Sequence, residues 1–413
     1  MRKTTLMVAI CLAGLVFAGC NRDDGAAITM LFYSPELQGQ YADMAAAYFE
    51  VTGVRIDVQV IQGEFRTLIA SRINAGDAPD VFMSNAYADN LWYRDIAYDL
   101  TDRDFMRRIS PAALEGVTLD GRITGYPFLV QTHSFLYNKA IFRELGIAPP
   151  KTLAELETAA ATIRAAGIQP FATGFAEWWV LPQTAWRALA PAIVNNHGGF
   201  ANFVGRLNDG TLRFADVPEM GAMFDLLDLI GRNGGPRPLQ SDFNDQTSMF
   251  ATGRAAIIHQ GNWAEETILQ TNPGVEIGFM AVPVSGSPSD AGLMFDSNQT
   301  LRVYKNGRNV RAVLDWLRWL TTSEYGMNWI PGRIRQISPI AGASAPDSRI
   351  AEQAVALIDD GVPSFPWFYQ MFPPGSEETL GLILQSYVAG IADRAATLSA
   401  LDDAYARLVR AAR

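Results

Sequence analysis

An alternation of short apolar runs with helical repeats between residues 28 and 83 limits the possible folds more than any other feature. Ile28-Thr-Met-Leu-Phe-Tyr33 reads as a buried strand. Ser34 and Pro35 suit a helix cap and a first helical position. Leu37, Tyr41, Met44, Ala45, Tyr48 and Phe49 then recur at helical spacing. Val54, Ile56, Val58 and Val60 alternate with Arg55, Asp57 and Gln59, the pattern of a strand with one polar face. Phe65, Leu68, Ile69 and Ile73 suit a second helix closed by Gly76, and Val81-Phe82-Met83 a third strand. A β-α-β-α-β order requires parallel strands joined by right-handed crossovers. In such open sheets ligands sit beyond the carboxyl ends of the strands. That rule selects residues 33–36, 62–65 and 84–87 as cleft segments.

The rest of the chain continues in the same α/β style. Gly146 stops a helix over 140–145, and Thr152 with Glu155 forms a capping box for a helix ending at Gly167. Phe171-Ala172-Thr173 is a short strand whose trailing loop carries Glu177, Trp178 and Trp179. A helix over 245–252 ends at Gly253, a buried strand follows over 255–258, and its trailing loop is Gly261-Asn262-Trp263. Residues 277–284 read as a strand carrying Pro283. Val310, Val313, Leu314, Leu317 and Leu320 mark a helix, and the chain is largely helical from Glu378 onward.

The N-terminus fixes the compartment. Met1-Arg2-Lys3 is a positive head, and residues 6–17 form an apolar run. About twelve residues cannot cross a bilayer, which needs ~20, so the run reads as a secretory signal peptide. Phe17-Ala18-Gly19-Cys20 resembles the lipobox of bacterial lipoproteins, in which the cysteine is lipidated and becomes the new N-terminus. Phe17 departs from the usual Leu, and a non-lipidated signal peptide is the alternative. Either way the mature chain works outside the cytoplasmic membrane.

After cleavage, two or three domains' worth of chain remains. The net charge of −10 argues against a nucleic-acid partner. With Cys11 and Cys20 as the only cysteines, the folded part has no thiol, which excludes disulfides and cysteine chemistry there. Three histidines, His133, His197 and His259, make a multi-histidine metal site unexpected, and no cofactor is expected. No phosphate-binding loop, G-x-S-x-G or H-E-x-x-H occurs. A glycosidase needs only two carboxylates, and Glu36, Glu64, Glu177 and Asp296 stand in predicted loops, where they are otherwise solvated acids.

Trp178, Trp179, Trp263 and Trp367 sit in predicted loops beside polar residues, whereas Trp316, Trp319 and Trp329 fall on helices and read as core. A sugar ring offers an apolar C–H face and a rim of hydroxyls. An indole covers the first and amides or carboxylates bond the second, a combination suited to a concave site. Packing is the alternative for each indole.

Several motifs, taken in order, resemble the extracellular solute-binding proteins of bacterial ABC importers, in the maltose/oligosaccharide-type cluster. They are Ala75-Gly76-Asp77-Ala78-Pro79-Asp80-Val81, then Gly121-Arg122-Ile123-Thr124-Gly125-Tyr126-Pro127, then Leu136-Tyr137-Asn138-Lys139 followed by Phe142, Leu145-Gly146, Pro149-Pro150-Lys151-Thr152 and Leu156. Phe250 to Ile258 with Gly261-Asn262-Trp263 is similar to a fourth. Leu153 and Ile257 replace a usual Trp and Met. The resemblance implies a type II periplasmic-binding-protein-like α/β fold, with two lobes, three chain crossings and a ligand cleft between them. Mapped here, the signal peptide is 1–19 and the lipidated tether 20–27. The N-terminal lobe is 28–131 with 283–333, and the C-terminal lobe is 132–282 with 334–413. The crossings fall near 129–133, 282–285 and 332–340.

The resemblance further implies a non-enzymatic, monomeric protein that captures a mono- or oligosaccharide and delivers it to the permease subunits. Such a protein would touch the membrane only through its lipid. A polyamine, phosphate ester or iron complex is the alternative solute; an anionic one would use Arg333 or Arg335. Gln131 occupies a hinge place where relatives carry a ligand-binding carboxylate, Trp263 matches a stacking aromatic, and Trp367 lies near a second. Tyr33, Glu36, Glu64, Asn85, Glu177, Trp178, Asp296 and Arg333 are expected to touch ligand from their loop positions. His133, near the hinge, either joins them or packs as a hydrogen-bonded core residue.

Overall fold

A computed structural model describes residues 27–61 and 65–412. The proposed signal peptide, Cys20 and Glu64 lie outside the described residues.

The strands Ile28–Phe32, Ile56–Val60 and Val81–Asn85 form, and both partners of the first run parallel to it. The helices Gln38–Thr52 and Phe65–Asn74 make the two crossovers. Ser34 leads a single 3-10 turn, Pro35–Leu37, and its hydroxyl makes no cap bond; the helix proper begins three residues later than the sequence pattern suggested. The expected capping box of Thr152 and Glu155 is present. The predicted strand over 277–284 is only Ile277–Met280, because the chain turns back so that Val282 pairs with Gly292.

Two long strands organise the molecule. Tyr126–Asn138 and Leu293–Val303 pair antiparallel at the centre of one continuous sheet. Beyond Leu293–Val303 lie the three parallel strands, and beyond Tyr126–Asn138 lie Ala255–Gly261 and Gln169–Ala172. Each long strand serves two cores. Tyr126, Phe128 and Leu129 pack in a first core with Phe32, Tyr41, Phe82, Trp316 and Trp329. Phe135 belongs to a second core with Phe171, Trp186 and Phe224, while Leu136 packs on the other face with Ile258 and Leu293. The return strand runs from Met294 in the second core to Leu301 and Val303 in the first. Its pairing slips between Asp296 and Thr300, where it passes from one core to the other.

The return strand changes core at 296–299, and Val282 and Val284 belong to the second core. Pro283 marks a turn inside that core and not a link between cores. Ile334 and Ile340 are still in the first core and Ile350 is packed beside the second, so the third passage lies beyond 340. The first passage lies between Leu129 and Phe135.

Asp80 gives the Pro-Asp-Val motif a structural purpose. Its buried carboxylate accepts from the Thr29 N–H at 2.9 Å, the Thr29 hydroxyl at 3.0 Å, and Asn309 Nδ2 at 3.0 Å. It thereby ties the first strand, the third strand and the start of the helix Val310–Thr322. Removing a buried acceptor with several donors strands them all. Asp80→Ala is expected to lower unfolding stability by about 3 kcal/mol in urea titration; a loss near zero contradicts this role.

Candidate functional site

Two of the residues expected at strand ends converge. Tyr33 follows the first strand, and its hydroxyl donates to Asn85 Oδ1 at 3.4 Å. Asn85 ends the third strand, and its Nδ2 donates to Glu377 Oε2 at 2.8 Å, joining chain positions 292 residues apart. Asp89 accepts from the Asn85 N–H at 2.9 Å and from Arg66 Nη2 at 3.0 Å, which fixes the loop from beneath. Tyr87 has φ of 54°, a strained value for a residue with a Cβ. Its N–H donates to Gly116 O, and its hydroxyl donates to the Asp296 carboxylate at the slip in the return strand.

Glu377 stands in the first turn of the helix Ser376–Val388, which packs in the second core through Leu380 and Leu384. The Asn85–Glu377 bond therefore joins the half built on the first core to the half built on the second. The space between Arg66, Asn85 and Asp89 on one side and Tyr369, Gln370 and Glu377 on the other is about 10 Å³. That holds about one water, against ~300 Å³ or more for a small-molecule site. At this place the side chains from the two cores leave no room for a solute.

The floor of the site comes from the crossing strands and the segments beside them. Gln131 is buried and in register with Asp296; its Nε2 donates to Gln336 Oε1 at 3.3 Å. Trp263 lies with its ring 5.6 Å from that of His133 at 3° between planes, and 6.5 Å from Trp367. Its edge is held by a chain of amides. The indole N–H donates to Gln260 Oε1 at 2.8 Å, Gln260 Nε2 to Gln246 Oε1 at 2.7 Å, and Gln246 Nε2 to Ala172 O at 2.9 Å. Gly261 makes the placement possible, since a Cβ there would fall 2.1 Å from the Trp263 ring and 2.4 Å from Thr132 O. Trp367 is only 1 % exposed. It is packed in the second core, not held in an open loop as its sequence context suggested.

The remaining expected residues do not join this cluster. Glu36 is exposed on the first 3-10 turn. Glu177 and Trp178 are half-buried just before the helix Val180–Arg187, where the Trp178 carbonyl lies against Gly381. Arg333 is exposed on the side of the first core that carries Tyr325, whose hydroxyl its charge reaches. Arg335 is engaged with Glu265 and Glu266, both at 3.7 Å. Glu377, Arg66, Asp89, Tyr87 and Gln336 were missed. The cleft loops put Tyr87 within reach of a sequence argument, and Arg66 and Asp89 lie just past those loops. Glu377 sits far along the chain with only the preceding Pro373-Pro374-Gly375 turn as a signal.

Burial raises the carboxyls of both Asp296 and Glu377. For Asp296 the Tyr87 hydroxyl opposes the shift. For Glu377 the Arg66 charge opposes it and Asp89 adds to it, and the carboxyl is pushed up to about 7 from its ordinary 4.5. Between those values the folded chain keeps a proton that the unfolded chain has released. The contribution of Glu377 to stability is thus fully present below pH 4.5 and is lost as the pH rises through 7. The melting temperature of the wild type is expected to fall between pH 5 and pH 8 by more than that of Glu377→Gln; parallel profiles contradict the assignment.

Comparison with known proteins agrees with this geometry. The chain is 22% identical over 338 residues to the multiple sugar-binding protein of Streptococcus mutans, covering 78% of this chain and 79% of that one. It is 22% identical over 341 residues to the melibiose/raffinose/stachyose-binding protein MelE of Bacillus subtilis, covering 77% of each. The solved structure of the solute-binding protein RafE in complex with raffinose superposes with a TM-score of 0.79 at 18% identity, over 93% of this chain and all of that one. The observed fold is the type II periplasmic-binding-protein-like α/β fold expected from the sequence. Residues 34–327 match the family model of the bacterial extracellular solute-binding proteins, and the chain belongs to that family.

Proposed function

We propose that the solute is a mono- or oligosaccharide, held between the two halves with its apolar face on Trp263. The observation that carries this reading is the fixed indole. Trp263 is oriented by three successive amides and borders Trp367, at the place where the strand ends, Asp296 and the crossing residue Gln131 meet. An aromatic face next to convergent amides and carboxyls matches the two kinds of surface a sugar presents. Both similar curated proteins are named for sugar binding, and the superposed structure holds raffinose.

The binding step follows from the lack of room beside Glu377. A sugar enters only when Asn85 parts from Glu377. The same groups then bond its hydroxyls as the halves return. A carboxylate accepts from sugar hydroxyls, and the protonated form of Glu377 both donates and accepts, which suits a hydroxyl rim. Parting requires the three passages at 129–135, 296–299 and beyond 340 to act as a hinge between an N-terminal and a C-terminal lobe. The ligand shifts the balance between open and shut forms by the difference in its affinity for them.

The sugar is then delivered to the permease of an ABC importer by a monomer acting outside the cytoplasmic membrane, anchored through lipid on Cys20. No step of this role requires catalysis, a cofactor, a metal or nucleic acid. The anchor is tested by the intact mass of protein extracted from membranes, which should carry diacylglycerol and acyl increments on Cys20.

Tryptophan fluorescence and calorimetry across a sugar panel test the binding reading. Micromolar affinity, about −8 kcal/mol, is expected for at least one sugar. Trp263→Ala should weaken it by ~30-fold, about 2 kcal/mol, with the circular dichroism spectrum unchanged. A panel with no response, or a Trp263→Ala variant of unaltered affinity, contradicts the reading.

A further inference from the structure

Arg187 is a buried charge for which the site described above has no use. It ends the helix Val180–Arg187 and is 0 % exposed. Its Nε donates to Gly292 O at 3.2 Å, and its guanidinium carbon lies 4.8 Å from the centre of the Phe365 ring. Nη1 and Nη2 have no partner, and no carboxylate among the described residues pairs with them. Gly292 leaves them room, since a Cβ there would fall 2.7 Å from Nη2.

Two histidines lie within reach of the Arg187 charge. The rings of His133 and His259 lie 4.1 Å apart, and His133 in turn stacks on Trp263. Burial, with the Arg187 charge, takes His133 down to about 3 and holds His259 well below its ordinary value, so both rings are neutral. Nε2 of His259 and Nδ2 of Asn262 lack partners. The guanidinium can only donate. A buried cation with two idle donor nitrogens is strongly unfavourable unless a negative group meets it. A neutral hydroxyl satisfies a donor but leaves the charge uncompensated. A carboxylate or phosphate does both and matches the guanidinium fork.

We propose that Arg187, beside His133 and His259, receives an anionic group of the solute, so that the sugar taken by this protein is an acidic one carrying a carboxylate or a phosphate. The inference rests on the sugar reading above and names its chemical class. The Arg187 charge reaches His133, which stacks on Trp263, so the guanidinium lies on the same half as that indole. The acids at the cleft, Asp296 and Glu377, hold their protons more tightly than usual, which limits their repulsion of such a group.

Calorimetry with matched pairs tests it on the purified wild-type protein: galactose against galacturonate, glucose against glucuronate and glucose 6-phosphate, and lactose against digalacturonate. The acidic member of at least one pair is expected to bind ten-fold or more tightly than its neutral partner, and Arg187→Met to abolish that difference. The wild-type panel decides the matter by itself if the variant does not fold. Neutral members that bind as well as or better than acidic ones overturn the anionic assignment and leave the sugar reading standing. A panel without any binding overturns both. A thermal shift from sodium phosphate or sodium chloride alone, equal to that from the acidic sugars, makes the cluster a seat for an inorganic ion and also overturns the inference.

Discussion

Everything in this molecule depends on the antiparallel pairing of Tyr126–Asn138 with Leu293–Val303. Each of these strands is anchored in one hydrophobic core at one end and in another at the other. Between the anchors the ladder slips, at Asp296 to Thr300. A regular ladder would resist relative rotation of the two cores. A slipped one gives up hydrogen bonds at one level and keeps them on either side, as bulges do in general. The same level carries Gln131 and Asp296, so the backbone that permits movement also presents polar side chains to whatever lies between the halves.

Local devices give the site its shape. The third strand delivers Asn85, and the strained turn at Tyr87 aims a hydroxyl back at Asp296. The chain Gln246–Gln260–Trp263 fixes an indole by its polar edge and leaves its face to packing and contact. Gly261 removes the Cβ that would collide with that ring. The rigid parts lie on the second core. The contacts described between the halves, Asn85 to Glu377 and Arg335 to Glu265 and Glu266, are polar. Polar contacts between two well-packed bodies are what a reversible closure requires.

Much of the fold was legible in the sequence because it follows from periodicity. The first β-α-β-α-β unit, the capping box at Thr152 and the buried helix tryptophans Trp316 and Trp329 obey local rules. The cleft segments at 33 and 84–87 followed from topology. The passages between cores were less legible. Pro283 signals a turn, but no local pattern tells whether a strand that leaves one core enters another. Glu377 and Arg187 were hidden for a related reason. Glu377 acts through a residue 292 positions away, and Arg187 closes a helix whose sequence reads as ordinary packing. Trp367 stood in an apparent loop, yet the surrounding Phe365, Phe368 and Phe372 draw the segment into the second core.

The central claim is that the halves part and shut around a sugar. Because the folded part has no cysteine, two can be introduced cleanly, at exposed Asp57 beside the first core and exposed Glu378 beside the second. Electron–electron double resonance between nitroxides at these sites measures the separation of the halves. The account predicts a distribution with a long-distance population without solute, which collapses to one short distance when the bound sugar is added. A single distance, unchanged by every sugar that binds, would contradict it.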